Sequence, residues 1–182
     1  ARIDSDSAVL PDSRFHYGSV TKAFVATLAG VLHQEGELSL DATLSELLPD
    51  VEMHPEYRPV TLLDVLRHRA GMAGHLDPQF DARGAAPGSI VESSSWTLTR
   101  QPLHTPGTSS AYSNCGYAVV AHVLEVATGK PWDELLAEHV AQPWNLRTLA
   151  RGWPVEPGRD AVVGHTGAPP KLQVQAEGAQ GA

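Results

Sequence analysis

Arg14-Phe15-His16-Tyr17-Gly18-Ser19-Val20-Thr21-Lys22-Ala23-Phe24 opens a strongly helical run, and its reading decides the rest. Val20, Phe24, Leu28 and Leu32 recur every four residues, and Val25 and Val31 widen the stripe. That period predicts an amphipathic helix from Ser19 to about Glu35, stopped by Gly36. Ser19 and Lys22 are then one turn apart and share a face, with the hydroxyl in reach of the amine. An amine held in a partly desolvated pocket can take a hydroxyl proton, and so turns a weak nucleophile into a useful one. The helix N-terminus adds a positive end where negative charge would develop. By itself the Ser-x-x-Lys pattern is common in helices whose serine is a cap and whose lysine is solvated. A second element gives it weight: Tyr112-Ser113-Asn114 follows the loop Thr105-Pro106-Gly107-Thr108-Ser109-Ser110 and opens another helical run.

Composition narrows the class. The chain has 182 residues, 42% hydrophobic and 19% charged, with a net charge of −8. That is enough chain for one domain with a real core. The acidic balance and the lack of a basic stripe argue against a nucleic-acid partner. No apolar run is long enough to span a bilayer. Cys115 is the only cysteine, so no internal disulfide forms and the compartment stays open. It reads as a small buried residue beside the Tyr112 loop. The start at Ala1, with no signal-peptide pattern, reads as a processed chain or a fragment.

Further along, Asp41 is placed to cap a short helix through Leu44, Leu47 and Leu48, closed by Pro49. Thr61 is placed to cap a helix from Leu62 to about Arg69, ended by Gly71, with Arg67-His68-Arg69 as its exposed end. A Gly-, Pro- and Asp-rich loop spans 71–88. Ser89 then caps a helix through Ile90, Val91, Trp96 and Leu98. Cys115 to Thr128 is well patterned, with Tyr117, Val120, Ala121, Leu124 and Ala127 on one face and Gly129 as its stop. Pro131, in a helix first turn, starts Trp132 to about Val140. Strand signals are few: Asp160–Val163 and Leu172–Val174. Beyond Pro143 the texture becomes Gly- and Pro-rich, and Gly178–Ala182 reads as linker. None of the nine histidines has metal-ligand spacing. Trp96, Trp132, Trp144 and Trp153 read as core or cleft-wall aromatics, Trp153 with the option of lining a groove.

Four stretches, taken in order, resemble the serine β-lactamase and penicillin-binding-protein superfamily, in its class C-like branch of D,D-carboxypeptidases, D-aminopeptidases and esterases. They are the segment 14–24 around Ser19, the turn Glu35-Gly36-Glu37-Leu38-Ser39-Leu40-Asp41, the helix Thr61 to Met72 with its His-x-x-Gly turn, and Pro106-Gly107 followed by Tyr112-Ser113-Asn114-Cys115-Gly116-Tyr117. The resemblance covers about residues 11–150. It implies an α+β β-lactamase/penicillin-binding-protein-like fold, of which this chain is mostly the all-helical region with few strands. Residues 1–150 would be the helical catalytic region, and 151–182 a Gly/Pro-rich connection and tail.

The resemblance also implies roles. Ser19 would be the acylated nucleophile, with Lys22 helping to deprotonate it. Tyr112 would be a phenolate-capable base or proton shuttle, its pKa lowered by Lys22. Asn114 would bind the substrate amide and Lys22. The Ser19 N–H would be one half of an oxyanion hole. The activity implied is a serine hydrolase acting through an acyl-enzyme on a β-lactam, a D-amino-acid peptide or a short ester, with no metal or organic cofactor. Family members carry a third motif on a late strand. Gly164-His165-Thr166-Gly167 has the residue types but lies in the connecting region, where His165 reads as a loop histidine. A complementing C-terminal polypeptide is therefore an expected partner, beside a small-molecule or peptide substrate. The competing readings are a non-catalytic remnant that serves as a binding module and an acyltransferase on the same scaffold.

Overall fold

Helix α1 (Thr21–Glu35) follows a single 3₁₀ turn, Gly18–Val20, and ends at Gly36 in the left-handed conformation (φ 83°). The computed structural model describes Ser13, residues 15–76, 89–147 and 149, and the backbone of residues 165–166 and 171–172. Val25, Leu28, Ala29 and Leu32 make the buried face of α1. Val20, expected on that stripe, is exposed. It sits in the tighter 3₁₀ turn, whose winding takes it off the α-helical face.

The short helix α2 (Leu44–Leu47) is capped by Thr43 and not, as expected, by Asp41. Thr43 and Glu46 form a reciprocal capping box in which Glu46 accepts from the Thr43 N–H at 2.7 Å. Helix α3 (Leu62–Leu66) repeats the device with Thr61 and Asp64, and an isolated antiparallel bridge joins the two capping threonines. Helix α3 stops earlier than its apolar pattern implies. Its C-cap is Arg67, and His68 adopts a left-handed backbone (φ 59°) before Gly71 is reached.

Helix α4 (Ile90–Leu98) starts at Ser89, whose hydroxyl accepts from the Glu92 N–H, as its sequence suggests. Helix α5 (Asn114–Thr128) is the centre of the molecule. It packs along α4 and also against α1, α2, α3 and α6. It is accordingly buried on more than one face, from Cys115 through Leu124, while Ala127 is exposed. Gly129 closes it with φ 72°. Pro131 is the N-cap of α6 (Trp132–Leu136), which loosens into a π-helical turn at Ala137–Ala141. Leu28, Leu32, Leu44, Leu48, Tyr57, Leu62, Val65, Leu98, Val119, Leu124 and Leu135 form the fully buried centre of one core. Each such leucine contributes about 1.5–3 kcal/mol through the area it removes from water. Trp144, expected in a core or cleft wall, is exposed, and Trp96 carries Arg100 over its ring at 4.1 Å.

Two short strands, β1 (His165–Thr166) and β2 (Lys171–Leu172), pair antiparallel, with His165 opposite Leu172. Leu172 thus falls in a strand as expected. The strand signal at Asp160–Val163, Trp153 and the tail Gly178–Ala182 lie outside the described residues. Among the described residues, no helix is long and apolar enough to cross a membrane.

What matters for the site is how the turn after α3 guides the segment before α5. The carbonyls of His68, Arg69, Gly71 and Gly74 accept from the N–H groups of Ala111, Gly107, Leu103 and Asn114, at 2.9, 2.8, 2.8 and 2.9 Å. The 68–74 turn is therefore a template on which residues 103–114 are laid. Gly71 is its tightest point. Its φ is 72°, and a Cβ there would lie 2.4 Å from the His104 carbonyl oxygen and 3.2 Å from Pro102 Cβ. Gly71→Ala is expected to cost about 2–5 kcal/mol, combining a left-handed alanine with overpacking against backbone. Urea unfolding would measure it. A loss below about 1 kcal/mol, the ordinary size for a point change, would mean that residues 102–104 simply move aside.

Candidate active site

Ser19 lies in the 3₁₀ turn ahead of α1, exposed at the protein surface. Lys22 follows on the inner side of the first α-helical turn and is only 8% exposed. Tyr112 and Asn114 arrive from the other end of the site. Tyr112 is the end of the segment templated by 68–74, and Asn114 is the first residue of α5. Ser113 between them is the N-cap. Its hydroxyl donates to the Ala73 carbonyl at 2.6 Å and accepts from the Gly116 N–H at 2.8 Å. This anchoring fixes the start of α5 and the side chains on either side of it.

The four residues singled out in the sequence meet in space. Ser19 Oγ is 2.6 Å from the Tyr112 hydroxyl, a short hydrogen bond between groups 93 positions apart. Lys22 Nζ donates to Asn114 Oδ1 at 2.5 Å and lies 5.0 Å from the centre of the Tyr112 ring and 5.5 Å from that of Tyr117. A buried ammonium must replace its water shell, and here a side-chain carbonyl oxygen and two aromatic faces do so.

The environment sorts the tyrosines. The Lys22 ammonium, as hydrogen-bond partner, and then the Ser19 hydroxyl hold the Tyr112 phenol below the ordinary value of 10.0. Burial pushes Tyr57 up to about 12, with Cys115 and Glu56 adding to it. Burial and then Tyr112 raise Tyr117. Of these three phenols, the one that touches Ser19 is the one whose pKa is lowered, which suits a proton acceptor.

Two further residues at the site were not evident from the sequence. His75 Nδ1 accepts from Asn114 Nδ2 at 3.2 Å, so both ends of the Asn114 amide are engaged and its orientation is set. The sequence places His68 at the exposed end of a helix. Instead, its ring is half-buried, 4.9 Å from the Tyr112 ring and 5.3 Å from that of Tyr117. The helix has ended by Arg67, and His68, with its positive φ, is tied to the backbone of Ala111 and Ser113. Cys115 is buried, as expected. Among the described residues, no group of three His, Cys, Asp or Glu side chains could hold a metal ion. His165 is described only by its backbone in β1.

A family model described as Beta-lactamase matches residues 1–182. Penicillin-binding protein 4 of Amycolatopsis lactamdurans is 33% identical over 144 residues, spanning 76% of this chain and 36% of that protein. The D-alanyl-D-alanine-carboxypeptidase/endopeptidase AmpH of Escherichia coli K12 is 26% identical over 167 residues, spanning 87% of this chain and 42% of that protein. The crystal structure of a D-stereospecific amidohydrolase from Streptomyces superposes with a TM-score of 0.65 at 27% identity, over 85% of this chain and 49% of that one. The chain thus spans less than half the length of these relatives. The family match runs through every segment from which the site is built, and the chain belongs to the beta-lactamase family of hydrolases, of whose fold it carries mainly the helical region.

Proposed function

We propose that this chain carries the nucleophilic half of a serine hydrolase that opens amide or ester bonds through an acyl-enzyme on Ser19. The observation that carries the reading is the 2.6 Å contact between Ser19 Oγ and the easily ionised Tyr112 phenol, backed by the buried Lys22. Tyr112 takes the Ser19 proton as Oγ attacks the substrate carbonyl. The same phenol then returns that proton to the departing amine or alcohol. Lys22 stabilises the phenolate and holds Asn114, whose Nδ2 has a second N–H, beside the one on His75, for a substrate amide. The Ser19 N–H, at the positive end of α1, serves as one oxyanion donor.

Substrates are amides or esters of modest size: a β-lactam, a D-amino-acid peptide or a short ester. Two of the relatives are named for D-configured substrates, which favours a D-amino-acid amide as the first to test. A complementing C-terminal polypeptide supplies the second oxyanion donor and covers the apolar rim beside Ser19. Phe15, Tyr17 and Val20 there are all more than half exposed, a patch that calls for a cover.

An intact mass spectrum taken before and after incubation with a fluorophosphonate ester, and separately with a penicillin, tests the reading. The expected result is a single adduct that maps to the peptide containing Ser19 and is missing from Ser19→Ala. The untreated spectrum shows whether a second polypeptide copurifies. No adduct on folded protein with no second chain would favour the alternative reading, a binding module descended from a hydrolase.

A further inference from the structure

His68 is a non-glycine residue held at φ 59°, a conformation that persists only where the surroundings over-determine it. What surrounds it is Tyr112. The His68 carbonyl oxygen accepts from the N–H of Ala111 at 2.9 Å, and its Nδ1 accepts from the N–H of Ser113 at 3.2 Å. The residues immediately before and after Tyr112 are therefore both tied to His68. Between those two ties, the imidazole lies 4.9 Å from the phenol ring, tilted by 41°. Three independent contacts from one residue converge on the placement of one side chain.

We propose that His68 is a positioning residue for Tyr112: through its carbonyl oxygen, its Nδ1 and its ring, it holds the phenol in line between Ser19 and Lys22. An N–H donor facing Nδ1 requires that nitrogen to be unprotonated, so the proton of the neutral ring sits on Nε2. Burial, and then the positive charge of Lys22, lower the His68 pKa and so favour this neutral form. A neutral ring also lets Lys22 keep its single positive charge next to the phenol without a second one competing for it. The proposal rests on the reading of Tyr112 as the proton acceptor for Ser19, yet it can be tested apart from that reading.

Two substitutions isolate the imidazole without disturbing the backbone. His68→Gly keeps the left-handed turn and the carbonyl tie but deletes the ring and Nδ1. His68→Asn also tolerates the left-handed turn, and its Oδ1 reaches the place of Nδ1 to accept from Ser113. The readouts are the ionisation of Tyr112, followed by NMR of ¹³Cζ-labelled tyrosine with Tyr112→Phe as the assignment control, and the rate of Ser19 modification by the fluorophosphonate. In His68→Gly the Tyr112 resonance should titrate at a higher pH than in the parent, and the modification rate should fall at least about tenfold, as expected for a displaced proton acceptor. In His68→Asn both should return most of the way. If His68→Gly lowers only the melting temperature and leaves the Tyr112 titration unmoved, His68 is merely structural and the proposal is overturned. If His68→Asn fails to restore the titration, the role given to Nδ1 is wrong. If Tyr112→Phe keeps its modification rate while His68→Gly still shifts the phenol, the positioning stands and the reading of Tyr112 as base fails.

Discussion

Lys22→Met is expected to slow acylation of Ser19 by about 10²–10⁴-fold, the range for a lost proton-transfer partner, while leaving the melting temperature unchanged or raised. The two halves of that expectation have different causes. Methionine keeps the length and packing of the lysine stem, so the apolar contacts at the first turn of α1 survive. It removes an ammonium that is 8% exposed and whose partners are the Asn114 carbonyl oxygen, the Tyr112 hydroxyl and two ring faces, all neutral in the resting site. Burying a charge with only neutral partners costs stability, and an apolar side chain of similar volume relieves that cost. Asn114 Oδ1 loses its donor, which offsets part of the gain. The chemistry loses more. Without Lys22 the Tyr112 phenol loses the largest influence that holds it below its ordinary value, and Asn114 loses the contact that orients its amide. Stopped-flow or timed mass spectrometry of the fluorophosphonate reaction, beside a thermal melt, measures both halves. A variant that acylates within about tenfold of the parent, a difference of only 1.4 kcal/mol in the barrier, would remove Lys22 from the mechanism. A variant that loses activity together with a large fall in melting temperature would make Lys22 a structural residue.

Much of the scaffold around this lysine was legible in the sequence, because its signals are local. The four-residue period of α1, the left-handed glycines at 36 and 129 and the serine cap at 89 depend on neighbours within one or two turns. The cap of α2 is also local, but two candidate types compete for it. Asp41 is a good capping type, yet Thr43 has Glu46 three residues on, and the reciprocal box outcompetes a lone carboxylate. The opening of α6 into a π turn at 137–141 has no comparable local signature.

The site divides along the same line. Ser19 and Lys22 are one turn apart, so their shared face could be read directly. Their partners could not be read this way, because the Ser19–Tyr112 and Lys22–Asn114 contacts join groups 93 and 92 positions apart. Only the order of motifs in a family resemblance suggested them. His68 shows the limit most sharply. Its sequence context, Leu66-Arg67-His68-Arg69, reads as a charged helix end. What turns it inward is a set of tertiary hydrogen bonds to residues 111 and 113, which no short-range pattern encodes.

Tyr112→Phe is the second large effect, and the pH axis is where it shows. The phenylalanine ring keeps the contact with His68, so the backbone of the 103–114 segment should stay in place. What disappears is one hydroxyl, 2.6 Å from Ser19 Oγ. In the parent, that group is an acid whose folded-state pKa is depressed below 10.0 by Lys22 and then by Ser19. The base form accumulates as pH rises through that depressed value. The acylation rate of the parent should therefore climb with pH along a limb that lies on the acid side of an ordinary phenol, and then level off. In the variant the limb should vanish and the plateau rate should fall by about 10²–10⁴-fold, the usual worth of a positioned general base. Both follow from rates measured at a series of pH values with one acylating probe, over a range in which a circular-dichroism control shows the fold intact. A variant that keeps the limb would place the titrating base elsewhere. A parent limb centred at the ordinary phenol value would mean that Lys22 does not reach Tyr112 in solution as it does here.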